Sequence, residues 1–184
     1  LAIELAAARV NMFSTEQIAA RLNESLNLLA KGGRAALPRH QTIRASIDWS
    51  WNLLSESEQA LLRRLAVFSG GWTLEGAEAV GAGEQVNEMN VFDLLSNLIE
   101  KSLVLFNGGN ERYRMLETVS EYALERLKEA NEEDSARNRH IDFYVAMAEE
   151  AEPGLLGKEQ GLWMRRLGDE QENIITANEW CNNK

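Results

Sequence analysis

From His40 to Gly71 the chain reads HQTIRASIDWSWNLLSESEQALLRRLAVFSGG, and this run restricts the fold more than any other. Ile43, Ile47, Trp51 and Leu54 recur at helical spacing, which predicts a helix from Thr42 to Leu54 that buries Trp51 and leaves Arg44 and Asp48 in water. Ser55-Glu56-Ser57-Glu58 follows at once. It has the form of a capping box, in which the Ser55 side chain accepts from the Glu58 amide while Glu58 reaches back, so a second helix starts there. That helix carries Leu61, Leu62, Leu65 and Phe68 on one face and ends at Gly70-Gly71, where glycine lets the backbone turn. These residues are packing, not chemistry.

On either side the pattern is mostly helical. Leu1 to about Met12 reads as one helix, and Ser14-Thr15-Glu16-Gln17 as a capping box opening another with Ile18, Leu22, Leu26 and Leu29 along one face. Lys31-Gly32-Gly33-Arg34 and Leu37-Pro38-Arg39 read as a linker, with a new domain starting near His40. Thr73 is the N-cap expected for a short helix holding Leu74, Ala77 and Val80, closed by Gly81-Ala82-Gly83. Val91 to Ser102 reads as a helix with Val91, Leu94, Leu95, Leu98 and Ile99 inward. Leu103 to Phe106 and Glu111 to Leu116 read as strands joined by Asn107-Gly108-Gly109-Asn110, residues that tolerate positive φ in a tight hairpin.

Helices followed by a hairpin is the order of a winged helix, with the Val91 helix in the recognition position and the Asn107 hairpin as the wing. Thr118-Val119-Ser120-Glu121 reads as a third capping box, opening a helix with Val119, Ala123 and Leu127 on its face. After a break at Glu132-Glu133-Asp134, Ile141, Tyr144, Val145 and Ala148 mark a helix that should stop before Pro153-Gly154. Leu162, Trp163, Leu167, Ile174, Ala177 and Trp180 suggest two more. The expected fold is therefore mainly α, a winged helix with a small β-hairpin flanked by helical segments. Three parts are expected, at residues 1–36, 37–130 and 131–184.

A hydrophobic content of 45% over 184 residues suits globular packing in one or two small domains. The sequence shows no initiator Met, no leader pattern and no apolar run near twenty residues, so the expectation is a soluble, cytoplasmic chain that is neither secreted nor membrane-bound. The lone Cys181 permits no internal disulfide. Both ends interrupt a helical pattern, as in a piece of a larger protein. Charge is unevenly spread: residues 1–70 hold 8 basic and 6 acidic side chains, against 11 and 23 in residues 71–184, so the net −10 arises in the second part.

Catalytic patterns are missing. No phosphate loop of the form Gly-x-x-x-x-Gly-Lys-Ser/Thr occurs, and Lys31-Gly32-Gly33 and Gly81-Ala82-Gly83 lack the preceding strand and following lysine. His40, His140 and Cys181 have no metal-ligand spacing. The carboxylates of Glu149-Glu150 and Asp169-Glu170 read as solvated helix faces, and Trp49, Trp51 and Trp72 as core or junction packing. No enzymatic role is expected for this segment.

The string RASIDWSWNLLSESEQALLRRLAVFSGGWTLEGAEAV resembles the first part of the winged-helix domain of STAND-type regulators, the NB-ARC-related ATPases that include LuxR-type and AfsR-type transcriptional regulators. LAIELAAARV at Leu1–Val10 resembles the helix after that family's Gly-x-Pro sensor, and RYRMLETVSEYALERL at Arg112–Leu127 the strand and helix that close its winged helix. RNRHIDFYVAMAEEAEP and EQENIITANEW are similar to the first helices of its tetratricopeptide-like sensor array. The resemblance implies that residues 1–36 end an NB-ARC-like ATPase module, 37–130 form the winged helix and 131–184 begin the sensor region. It implies no cofactor in this chain, with ATP or ADP and magnesium bound upstream in the parent protein. The implied partners are the intramolecular ATPase module, the downstream sensor helices and a protein or small-molecule inducer. Relatives in the family carry a Met-His-Asp nucleotide sensor after the wing. Met115, Leu116 and Glu117 fall there, making Leu116 and Glu117 the sensor-position candidates, although leucine donates no hydrogen bond.

The main expectation is thus a relay that transmits nucleotide state between ATPase module and sensor helices. The alternative is direct DNA binding, through Asn97 and Lys101 on the recognition-position helix and Arg112 and Arg114 on the wing. Val91 to Leu116 holds three basic and three acidic residues, a neutral face that releases few counterions, so DNA contact is the less expected of the two.

Overall fold

The computed structural model describes residues 38–182. The helices expected over residues 1–36, and with them the expected end of an ATPase module, lie outside the described residues. Helix α1, Pro38–Trp51, begins earlier than the run of apolar residues suggests, with proline at the first helical position, where its missing N–H has no intrahelical partner to lose. Ala45, Ile47 and Trp49 are buried and Trp51 is half-buried, set edge-on to Tyr122 at 5.7 Å. Asp48 is not simply wet. It accepts from the Tyr122 hydroxyl at 2.6 Å and from Arg126 at 3.4 Å, because a later helix packs across α1.

The capping box at Ser55 forms with both of its hydrogen bonds and opens α2, Glu56–Arg64, which tightens into a 3-10 turn at Leu65–Val67. Gly70 and Gly71 then take φ of +73° and +101°. At Gly71 a Cβ would stand 2.5 Å from the Tyr113 carbonyl oxygen, so the chain turns there only as glycine. The turn sets Trp72 against Tyr113 with paired backbone hydrogen bonds of 2.9 and 2.8 Å, a one-residue strand that no alternation in the sequence announces.

Thr73 caps α3, Leu74–Gly81, by accepting from the Gly76 amide. Helix α4, Val91–Glu100, buries Val91, Leu95 and Leu98; it ends before Ser102, which adopts a left-handed φ of 58°. Leu103 and Val104 are buried in the connection rather than paired as strand. Strands β1, Leu105–Asn107, and β2, Arg112–Arg114, pair antiparallel with Phe106 opposite Tyr113. Asn107 accepts from the Gly109 amide at 3.1 Å, while the left-handed position of the loop falls on Glu111 rather than on its glycines or asparagines. Helix, strand, helix, helix and two-stranded wing follow in that order.

Helix α5, Glu117–Glu129, starts ahead of the expected capping box: Leu116 is its N-cap, without a side-chain bond, so Thr118 lies inside the first turn. It ends at Asn131, in left-handed conformation, with the Glu132 amide bonded to the Leu127 carbonyl. Helix α6, Glu133–Leu155, runs through Pro153 instead of stopping before it. Its inward face is Ala136, His140, Tyr144, Met147 and Ala151, while Val145 and Ala148 are exposed. Helices α7, Gln160–Asp169, and α8, Gln171–Asn182, follow. One apolar core extends from Ile47 of α1 to Trp163 of α7, and Phe68 touches Trp72, His140 and Tyr144. Trp72 is core, at 2% exposure. Among the described residues no helix is long and apolar enough to cross a membrane.

Candidate nucleic-acid interface

Helix α4 and the wing present the surface that a winged helix offers to a duplex. On α4, Phe92, Asp93, Asn97 and Glu100 are exposed, and the Ser96 hydroxyl donates back to the Phe92 carbonyl at 2.9 Å. Phe92 is 55% exposed, and Met89, one turn before it, is 87% exposed. Lys101 does not stay free: its ammonium pairs with Glu58 of α2, a carboxylate with only 5% side-chain exposure. Glu58 also accepts from the Ser55 amide at 2.7 Å. Burial pushes the Glu58 carboxyl up, but Lys101 and the Ser55 amide outweigh it and hold the group below its ordinary range.

The wing divides in the same way. Arg114 is exposed, with no ion pair to any described residue, whereas the Arg112 guanidinium is turned inward onto Glu170 and the Gly71 carbonyl. Glu170, at the junction of α7 and α8, has 3% side-chain exposure. It accepts from the Tyr144 hydroxyl at 2.7 Å and the Asn173 amide at 2.8 Å. Asn173 also donates to the Gly71 carbonyl at 2.8 Å and accepts from the Ser69 amide at 2.7 Å. Burial and the bond to Glu170 both raise the Tyr144 hydroxyl, keeping it a donor at any ordinary pH. Of the expected solvated carboxylates, Glu149, Glu150 and Asp169 are exposed and Glu170 is not.

His140 sits beside this hub, 2% exposed, with Phe68 and Tyr144 rings each at 4.9 Å. Burial lowers its pKa to about 4, against an opposing pull from Asn173, so it is neutral. The expected sensor positions lie elsewhere. Leu116 is half-buried and its carbonyl accepts from the Val119 and Ser120 amides, while Glu117 is exposed in the first turn of α5, where the helix dipole favours an acid. Glu117, Met115 and Arg114 border an open cleft of about 530 Å³ against the Gly70-Gly71 turn. A sequence pattern points to Asn97, Lys101, Arg112 and Arg114; it marks Glu58 only as a capping acid and Tyr144 only as a helix-face residue, and gives no signal that Glu58, Tyr144, Glu170 and Asn173 decide whether two of those four are available.

Residues 54–128 match the family described as winged helix-turn-helix domain. The chain is 46% identical over 182 residues, 98% of its length, to a Mycobacterium tuberculosis protein named "Putative HTH-type transcriptional regulator", of which it covers 20%. A Mycobacterium bovis protein of the same description matches equally. A further protein of M. tuberculosis, named only as uncharacterized, is 43% identical over 143 residues, 76% of this chain and 36% of its own. The chain thus spans about a fifth of the length of the first of these relatives. No solved structure matches it. Residues 54–128 thus match a winged helix-turn-helix domain, in a chain similar to proteins that carry the name "Putative HTH-type transcriptional regulator".

Proposed function

We propose that this chain serves transcription regulation, its winged helix-turn-helix domain contacting duplex DNA on behalf of a larger regulator. The observation that carries the reading is the element order from α2 through Trp72, α3 and α4 to the β1–β2 wing, completed by the Trp72–Tyr113 pairing. The match over residues 54–128 and the names of the relatives support it further. Asn97 then reads from α4 and Arg114 contacts backbone phosphate from the wing. Titrating a labelled duplex at low salt tests this: binding that weakens with salt, and weakens further in Arg114→Ala, is expected. No binding at low salt would remove DNA contact from the segment's work.

A second reading is favoured by Lys101 and Arg112 being engaged internally while Met89 and Phe92 stand exposed on the α4 side. In it the domain is the relay of a STAND-type ATPase regulator, packing on a nucleotide-binding module of the parent protein, with α6–α8 as the start of a tetratricopeptide-like sensor that receives an inducer. ATP or ADP and magnesium then act upstream of this segment, which itself catalyses nothing. Deleting residues 40–127 from the full-length protein distinguishes the two: the relay reading expects altered nucleotide exchange and inducer response, and unchanged values would sink it.

A further inference from the structure

Side chains alternate along β2, so Arg112 and Arg114 belong to one face while Tyr113 turns to the other, against Phe106 at 4.9 Å. That face, with Gly70, Leu105, Asn107 and Asn110, borders an open cleft of about 560 Å³, to which Phe106 and Tyr113 also contribute. Two guanidiniums and two amides on a wing suit the phosphate backbone of a duplex. Yet the docked helical extension alters the charge of the cleft. Glu170 draws Arg112 inward, and Glu172 of α8 lies against Gly70 at the edge of the cleft. With Glu111 exposed at the hairpin tip, the docked arrangement sets three carboxylates against two arginines. Undocking α8 with the α7–α8 junction takes Glu170 and Glu172 away together and leaves two arginines against Glu111 alone.

We propose that this cleft is a contact for the backbone of duplex DNA and that α6–α8 mask it, Glu170 withholding Arg112 from the face it shares with Arg114. The proposal rests on the DNA-contacting reading above. The mask is all-or-none, because Glu170 and Asn173 tie α8 at once to Arg112, Tyr144, Gly71 and Ser69. A buried carboxylate that loses its arginine is strongly disfavoured, so partial undocking is not a resting state. Whatever shifts α8, a ligand on the extension or another part of the parent protein, sets the affinity of the wing.

The test is anisotropy titration of a labelled random-sequence duplex, over a salt series, with the whole chain as wild type, Glu170→Gln, Glu170→Gln with Arg112→Ala, and Arg114→Ala. Expected is tighter binding in Glu170→Gln, with a salt slope steeper by about 0.9 for the one phosphate gained. Adding Arg112→Ala should return both to the wild-type values. A gain that survives Arg112→Ala reflects only the lost negative charge and overturns the mask. Glu170→Gln indistinguishable from wild type, while Arg114→Ala still weakens binding, overturns the mask and keeps the DNA reading. No binding by any form overturns both. If Glu170→Gln fails to fold, Asn173→Ala carries the test with the same outcomes, since it cuts the bonds that hold α8 to Ser69 and Gly71 without altering charge.

Discussion

At the scale of single residues, polar side chains behave here according to what buries them. His140 is neutral because Phe68, Tyr144 and the rest of the core exclude water from it, not because it serves chemistry. Its folded pKa of about 4 lies below the ordinary value of 6.5, so the unfolded chain binds the extra proton between them. Stability from this group is therefore complete above about pH 6.5 and is lost as pH falls toward 4, on the order of 3 kcal/mol in all. Urea denaturation across that range should show the loss, and His140→Leu should flatten it. Glu132 acts lower: burial raises it, but Arg63 and Arg64 together hold it at about 2, so its contribution is lost as pH falls from 4.5. A backbone position is testable too. Glu111 pays the left-handed penalty at φ 53°, so Glu111→Gly should stabilise by about 0.5 kcal/mol, the relief of strain exceeding glycine's added entropy.

At the scale of elements, ends were more legible than faces. The Ser55 box, the Thr73 cap and the Gly70-Gly71 turn follow from local chemistry, and all three form as the residues require. Ser55→Ala should destabilise by about 1 kcal/mol in chemical denaturation. Gly71→Ala should destabilise by at least about 2 kcal/mol, since both its φ and the Tyr113 carbonyl exclude a side chain. Where two caps compete, local pattern fails. Thr118 has capping chemistry, yet α5 starts at Glu117, because Arg112–Arg114 must stay paired in the sheet and the chain turns directly from Leu116. In α6 the apolar side chains mark the buried face only in part, at Tyr144 but not at Val145 or Ala148. His140 lies inward and Val145 outward, because that face meets Phe68 and the Glu170 hub.

At the scale of the molecule, the winged helix and the helices after it share a core and two ionic ties that bury a guanidinium, beside a more exposed pair between Lys128 and Glu133. One is the Glu170 hub. In the other, Glu132 accepts from Arg63 at 2.8 Å and from Arg64 at 3.0 Å, joining α2 to the start of α6. With Phe68 covered by His140 and Tyr144, residues 38–182 should unfold in one calorimetric transition. A chain ending at residue 130 should melt lower by roughly 10 °C or more, having lost that cover and both ties. Glu132→Ala in the whole chain should cost about 2–3 kcal/mol, because it leaves the Arg64 guanidinium, at 5% exposure, with only the neutral acceptors Gly81 and Gln85.

The sequence by itself determined the helical class, the order of helices and hairpin, and the Ser55 and Thr73 caps with the Gly70-Gly71 turn, because these depend on residues within a few positions of one another. It also offered four candidates, Asn97, Lys101, Arg112 and Arg114, for a duplex-facing surface. Only the tertiary structure decided which of them face water. Lys101 meets Glu58 across 43 positions and Arg112 meets Glu170 across 58, and no spacing rule reaches so far. Such pairs exist because packing α2 on α4, and α7–α8 on the wing, removes both charges from water, and each then needs the other.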